Sequence, residues 1–174
     1  MGIHIRDVTT EDRTAVALVR VRSWQHAYAG LVPQSYLDAM SVPDESARLG
    51  ELIAAGRSGA THLVAERDGA VVGWGCTGPG RDEDAIARES ELYTLYVLPE
   101  HLSTGVGRAL LAELIARASA SGSERMRLWV LRENAPARRF YEKAGFAPDG
   151  GEGQFEIEDT TIHEVRYARA LATR

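Results

Sequence analysis

Ile3 and Ile5 alternate with His4 and Arg6, a period of two that predicts an opening strand over residues 3–7. The period then lengthens. Thr9 and Thr10 stand ahead of Glu11 and Asp12, so a hydroxyl N-cap is followed by two acids at the positive end of a helix dipole. The helix opened there should run to about Ala29, where Gly30 and Pro33 stop it. A short helix follows over residues 35–40, and Pro43, Asp44 and Glu45 open another that ends near Gly56. From residue 61 the period returns to two, giving strands over 61–67 and 70–77 joined by the hairpin signal Asp68-Gly69. Residues 78–88 mix Gly, Pro and charges of both signs and read as a solvated loop. A strand over 91–97 is stopped by Pro99, and a helix over 105–120 carries the apolar ridge Leu110, Leu111, Leu114 and Ile115. A buried strand over 126–131 and a helix over 135–144, closed by Gly145, come next. The chain ends in a hairpin over 146–170, with Gly150, Gly151 and Gly153 expected in its first turn. This order predicts an α/β fold: a mixed central sheet of about seven strands with flanking helices.

Its 174 residues suit one domain, 1–174, and leave little room for two. Charge interrupts every apolar stretch well short of the roughly 20 residues a membrane span needs, and no basic, then apolar leader opens the chain. A cytoplasmic protein with no membrane partner is expected. The net charge of −5, with basic residues scattered rather than clustered, argues against a nucleic-acid partner. Cys76 stands alone, and His4, His26, His62, His101 and His163 have no metal-ligand spacing with it or with one another, so no metal is expected.

The run Leu95-Tyr96-Val97-Leu98-Pro99, followed by Ser103-Thr104-Gly105-Val106-Gly107-Arg108, takes a strand through a Gly-containing turn into a helix. Such a turn aims several unpaired N–H groups at one point, and the helix dipole adds positive potential there. It suits a phosphate group. After the next strand comes Asn134-Ala135-Pro136-Ala137-Arg138-Arg139-Phe140-Tyr141, ending Gly145-Phe146. Together the two segments resemble the acetyl-CoA signature of the GNAT superfamily of N-acetyltransferases, whose second part reads Asn-x-x-Ala-x-x-Phe-Tyr-x-x-x-Gly-Phe. The resemblance covers residues 91–146 by motif and the rest by order of elements. It implies a fold whose two central strands splay apart around the pantetheine arm of acetyl-CoA, the cosubstrate. By matched position the backbone of Leu95, Tyr96 and Val97 would meet the pantetheine amides. The N–H groups of Ser103, Thr104, Gly105, Val106, Gly107 and Arg108 would cradle the pyrophosphate, and Asn134 would hydrogen-bond the cofactor. Leu102 stands where the family usually carries Gln or Arg, which weakens this cradle by one side chain, with Arg108 as the nearest compensating charge.

Acetyl transfer to an amine needs a neutral nucleophile, a stabilised oxyanion and a proton for the departing thiolate. An alkylamine has a pKa of about 10, so a base or a water chain must help at neutral pH. Glu91, six residues before Val97, stands where the histone-acetyltransferase branch of the family carries its base, and strand alternation puts Tyr93 on its face. A solvated residue at a strand start is the competing reading. Tyr141, by its place in the motif, would donate a proton to the sulfur, and N–H groups near Val97 would stabilise the oxyanion. Trp129 stands where the ribosomal-protein branch carries a glutamate. Trp24 and Tyr28 share a helix face, which packing explains, although in the family this region overhangs the acceptor site. The resemblance leaves the acceptor open among small-molecule and peptide amines, and it leaves a homodimer open. An acyl-CoA-binding sensor or interaction module of the same fold, without turnover, is the reading from another class.

Overall fold

The computed structural model describes residues 2–56 and 59–172. Its seven strands are β1 (His4–Asp7), β2 (Thr61–Arg67), β3 (Ala70–Pro79), β4 (Glu89–Val97), β5 (Arg125–Leu131), β6 (Ala147–Ile157) and β7 (Thr160–Ala170). They form one sheet in the order β1-β2-β3-β4-β5-β7-β6. Every neighbouring pair is antiparallel except β4 and β5. A parallel pair needs a crossover, supplied here by the helix between these strands, Val106–Ala120. Three helices, α1 (Arg13–Ala27), α2 (Gln34–Ala39) and α3 (Val42–Ala55), join β1 to β2; the crossover helix is α4, and α5 (Ala135–Lys143) joins β5 to β6. The predicted mixed α/β sheet with flanking helices is the observed one.

Two glycines let α4 lie close on the sheet. A Cβ at Gly75 would stand 2.6 Å from Leu114 Cδ1, and one at Gly73 would stand 3.1 Å from Val106 Cγ1. Trp74 lies between them and by alternation faces the other way, stacking on His62 with centroids 6.1 Å apart. The main core fills both faces: Val16, Val19 and Leu49 from α1 and α3, Leu110 and Leu114 from α4, and Leu63, Met126 and Leu128 from the strands, all buried. A second, smaller cluster of Val32, Leu37, Leu131, Ile157 and Ile162, packed against Trp24, Tyr28 and Tyr36, ties the end of α1 and α2 to the far ends of β5, β6 and β7.

Two boundaries differ from the sequence reading. Strand β4 begins at Glu89 rather than Glu91, and β3 runs on to Pro79. The extra residues carry no hydrophobic alternation because charge pairing hides them: Glu89 is buried against Arg127, Nε to Oε2 3.0 Å. Likewise Gly150, Gly151 and Gly153 lie within β6, and the hairpin turns instead at Glu158 and Asp159. Gly150 and Gly151 lie in a bulge, where the pairing register shifts between Pro148 and Glu152 and Gly150 takes φ +90°, while Gly153 pairs with Glu164. Gly151 is required by its neighbour, since a Cβ there would lie 2.6 Å from Arg166 Nε.

Candidate active site

Strands β4 and β5 pair only from Glu89 with Arg125 to Leu92 with Leu128, and then part. A bulge in β4 begins the divergence: Leu92 faces Thr77 and Thr94 faces Cys76, so Tyr93 is the extra residue. Beyond it the β4 edge has no strand partner on the β5 side. Unpaired edge groups can accept an extended, amide-bearing ligand as they would another strand. The gap widens into a cleft of about 1460 Å³ that runs from the turn before α4, past α5, to the hairpin of β6 and β7. Leu95, Tyr96 and Val97 line it, and the Val97 carbonyl accepts a hydrogen bond from Ser23 Oγ at 2.9 Å.

At one end the chain turns through Ser103 at φ +59° and Gly105 at φ +92° into α4. None of the N–H groups of residues 103–108 makes a turn or cap hydrogen bond within the described residues; the first to do so is Ala109, to Gly105 O at 3.0 Å. Arg67 Nη2 steadies the turn by donating to Thr104 O at 3.3 Å, and Thr104 Oγ1 donates to His101 O at 2.6 Å. Unpaired N–H groups at a helix N-terminus, with no Cβ at Gly105 and Gly107, fit a phosphate-bearing ligand. Ser103, Thr104, Gly105, Gly107 and Arg108 line the cleft, whereas the Val106 side chain is buried in the core and can offer only its N–H. Gly107 also sets helix spacing, because a Cβ there would touch the Phe140 ring at 3.4 Å. Leu102 is 46% exposed and adds no polar group.

Midway, Asn134 caps α5, its Oδ1 accepting from Ala137 N–H at 3.3 Å. Capping therefore uses one end of this amide, and Nδ2 belongs to a cleft-lining side chain. Tyr141, about two helix turns further on, also lines the cleft, its ring edge-on to Phe140 and Phe146. Its hydroxyl makes no hydrogen bond within the described residues. Burial, with a smaller contribution from Tyr96, pushes the Tyr141 phenol well above its ordinary value, so the proton stays on Oη at neutral and alkaline pH.

The far end is aromatic. Trp24 and Tyr28, at the end of α1, stand edge-on with centroids 4.8 Å apart and both line the cleft while packing on the second core cluster. Burial raises the Tyr28 phenol strongly, with Tyr96, Tyr141 and Glu164 adding to the effect. Tyr93 lines the cleft too, donating its hydroxyl to Pro79 O beneath the Arg81 guanidinium, which sits 4.0 Å from the ring centroid.

Glu91 is placed differently from either reading of the sequence. It is neither a solvated strand start nor open to the cleft: it is 3% exposed, and Arg81 occupies both its oxygens. Arg81 donates through its backbone N–H to Oε2 at 2.9 Å and through Nη2 to Oε1 at 2.7 Å. The carboxylate thus anchors Arg81, and Arg81 is what reaches the cleft wall. The sequence signalled neither Arg81 nor Glu164, a β7 carboxylate that lines the same end. A period-two reading of β7 could have put Glu164 on a face with Ile162 and Arg166 but not against β4, which is distant in sequence.

Among the described residues no group of three or more His, Cys, Asp and Glu could hold a metal, and no helix is long and apolar enough to cross a membrane. Residues 18–146 match the model of the Acetyltransferase (GNAT) family. An uncharacterised N-acetyltransferase of Bacillus subtilis is 29% identical over 164 residues, covering 94% of this chain and 90% of that protein. A spermidine N(1)-acetyltransferase of Thermoplasma acidophilum is 28% identical over 156 residues, covering 88% and 93%. An N-acetyltransferase from Thermoplasma acidophilum, solved in complex with coenzyme A, superposes with a TM-score of 0.80 at 25% identity over 98% of this chain and 99% of that one. Because the family model spans most of the chain, from residue 18 through the splayed strands and the turn before α4 to Phe146, the chain belongs to the acetyltransferase (GNAT) family, whose cosubstrate is acetyl-CoA.

Proposed function

We propose that this protein moves an acetyl group from acetyl-CoA directly to the nitrogen of a primary amine, with Tyr141 as the general acid. The observation that carries this reading is the Tyr141 hydroxyl: protonated, without a partner among the described residues, and on the wall of a cleft that begins at a phosphate-binding turn. Acetyl-CoA supplies an activated thioester. The N–H groups of residues 103–108 hold its pyrophosphate, the β4 edge beyond Leu92, which has no strand partner on the β5 side, meets its pantetheine amides through Leu95 and Val97, and Asn134 Nδ2 donates to it. This directs the acyl end toward Tyr141: the amine nitrogen bonds the acetyl carbon as the C–S bond breaks, Oη protonates the departing thiolate, and the proton shed by the nitrogen leaves through cleft water to solvent, from which Tyr141 is reprotonated. The walls near Val97 provide N–H groups for the oxyanion. Glu91 acts as a positioning residue through Arg81. The coenzyme A complex of one relative and the amine named for another support the same reading.

Tyr141→Phe tests it by removing one oxygen and keeping the ring. Steady-state turnover should fall about 10- to 1000-fold while the dissociation constant for acetyl-CoA changes less than about twofold. Wild-type turnover in this variant would remove Tyr141 from the mechanism.

A further inference from the structure

The Glu164 carboxylate has a setting that neither the fold nor acetyl transfer in general requires. It lies on the wall of the cleft at the end away from the phosphate-binding turn, and it has no hydrogen-bond or ion-pair partner within the described residues. That is unusual in a region where other acids are matched. Asp82 and Asp84 are held by Arg166, Asp149 by Arg166, and Glu91 by Arg81. Gly153, across the β6–β7 ladder, gives the carboxylate its space: a Cβ there would come within 3.3 Å of Glu164 Oε1 and 3.2 Å of Trp129 Cζ3. The Trp129 indole is fixed in turn, its Nε1 donating to both oxygens of Asp82 at 3.2 Å. Tyr28, Trp129 and Phe155 complete an aromatic surround on the cleft wall. One unmatched carboxylate among aromatic faces is the environment that selects an alkylammonium, through ion pairing and cation–π attraction.

Resting on the acetyltransferase reading above, we infer that Glu164 is the acceptor-recognition residue, holding an ammonium group of an aliphatic amine that carries no carboxylate beside its nitrogen. Arg81, on the same wall, could instead suit the carboxylate of an amino acid, but its charge is already matched by Glu91. A diamine would keep one end charged at Glu164 while its other nitrogen is the one acetylated. The groups acting on Glu164 are Asp82 and Arg81 from the loop after β3, Glu91 from β4 and Tyr28 from the end of α1. Burial, then Asp82 and Glu91, raise the Glu164 carboxyl against the opposing pull of Arg81. Ammonium binding should therefore weaken in mildly acidic solution, as the carboxylate takes up its proton earlier than an ordinary glutamate.

Calorimetric titration of 1,4-diaminobutane into the protein saturated with coenzyme A reads this without turnover. Saturable binding is expected in the wild type, weakened about tenfold or more in Glu164→Gln, and largely kept in Glu164→Asp. Weakening toward acidic pH should appear in the wild type and vanish in Glu164→Gln. The thermal shift caused by coenzyme A, measured alongside, should be equal in all three proteins and shows that the variants are folded. No diamine binding in the wild type, or equal binding in Glu164→Gln, would overturn the inference. So would binding of L-methionine in place of the diamine with Arg81→Ala, not Glu164→Gln, abolishing it. The acetyltransferase reading stands apart from these results, because it fails only if no amine of any kind is acetylated.

Discussion

Gly105 bears the conformational demand of the turn before α4. Nothing lies nearer than 3.9 Å to a Cβ built there, so protein contacts do not exclude a side chain; the backbone at φ +92° does. A β-branched residue would have to abandon that conformation and rotate the N–H groups that follow. Gly105→Val should therefore lower coenzyme A affinity by about tenfold or more, with a stability loss of only about 1–2 kcal/mol. Calorimetry and urea denaturation on the same variant separate the two, and unchanged affinity would mean the phosphates bind elsewhere. At this scale the sequence was informative wherever chemistry is local. Asn134, Tyr141 and the Gly105 turn sit in short segments whose spacing specifies them. Glu164 and Arg81 were not legible, since each acquires its setting from residues remote in sequence. Glu91 was legible as a strand residue, but its pairing was not, because the guanidinium that holds it lies ten positions away.

Among the elements, the start of α1 shows how a cap can also tie a helix to the sheet. Asp12 Oδ2 accepts from Thr9 N–H at 2.8 Å, while both Asp12 oxygens take a guanidinium pair from Arg6 of β1 at 2.7 and 2.8 Å. The Arg6 hydrogen bonds hold the Asp12 carboxyl down at about 2, against an ordinary 3.8. A lowered acid stabilises the fold above its unfolded value and loses that contribution as pH falls toward its folded one, here between pH 3.8 and about 2. Discounted for solvent screening of Arg6, Asp12→Asn should cost about 1 kcal/mol at pH 7 and almost nothing near pH 2. Urea denaturation at several pH values checks this, and a pH-independent loss would assign the effect to packing. The sequence offered Thr9 or Thr10 as the cap, with Asp12 as an acid in the first turn; neither the bond from Thr9 N–H to Asp12 nor the tie to Arg6 was visible. The same division explains β6. Its glycines carry a turn signature, but Gly151 makes room for Arg166, whose charge partners lie in the loop before β4 and in β6 itself, and Gly153 makes room for Trp129 and Glu164.

For the whole molecule, element order led to the mixed sheet, and two motifs led to the family. What the order alone could not supply is the depth of the cleft. That depends on the β4 bulge at Tyr93, on β4 and β5 parting after Leu92 and Leu128, and on a second core cluster bringing α1 and α2 to the β6–β7 hairpin. One cleft consequently has a glycine turn with unpaired N–H groups at one end, the Tyr141 phenol midway and the Glu164 carboxylate at the other. A sensor of acyl-CoA would need only the first of these. Transfer needs a proton donor for the departing thiolate as well. The most direct measurement is therefore to incubate the protein with acetyl-CoA labelled in its acetyl group and a panel of primary amines, then follow free coenzyme A thiol and the label by mass spectrometry. Label appearing in an amide of at least one amine, matched one to one by released thiol, is the predicted result; tight coenzyme A binding with no label transferred to any amine would contradict the account.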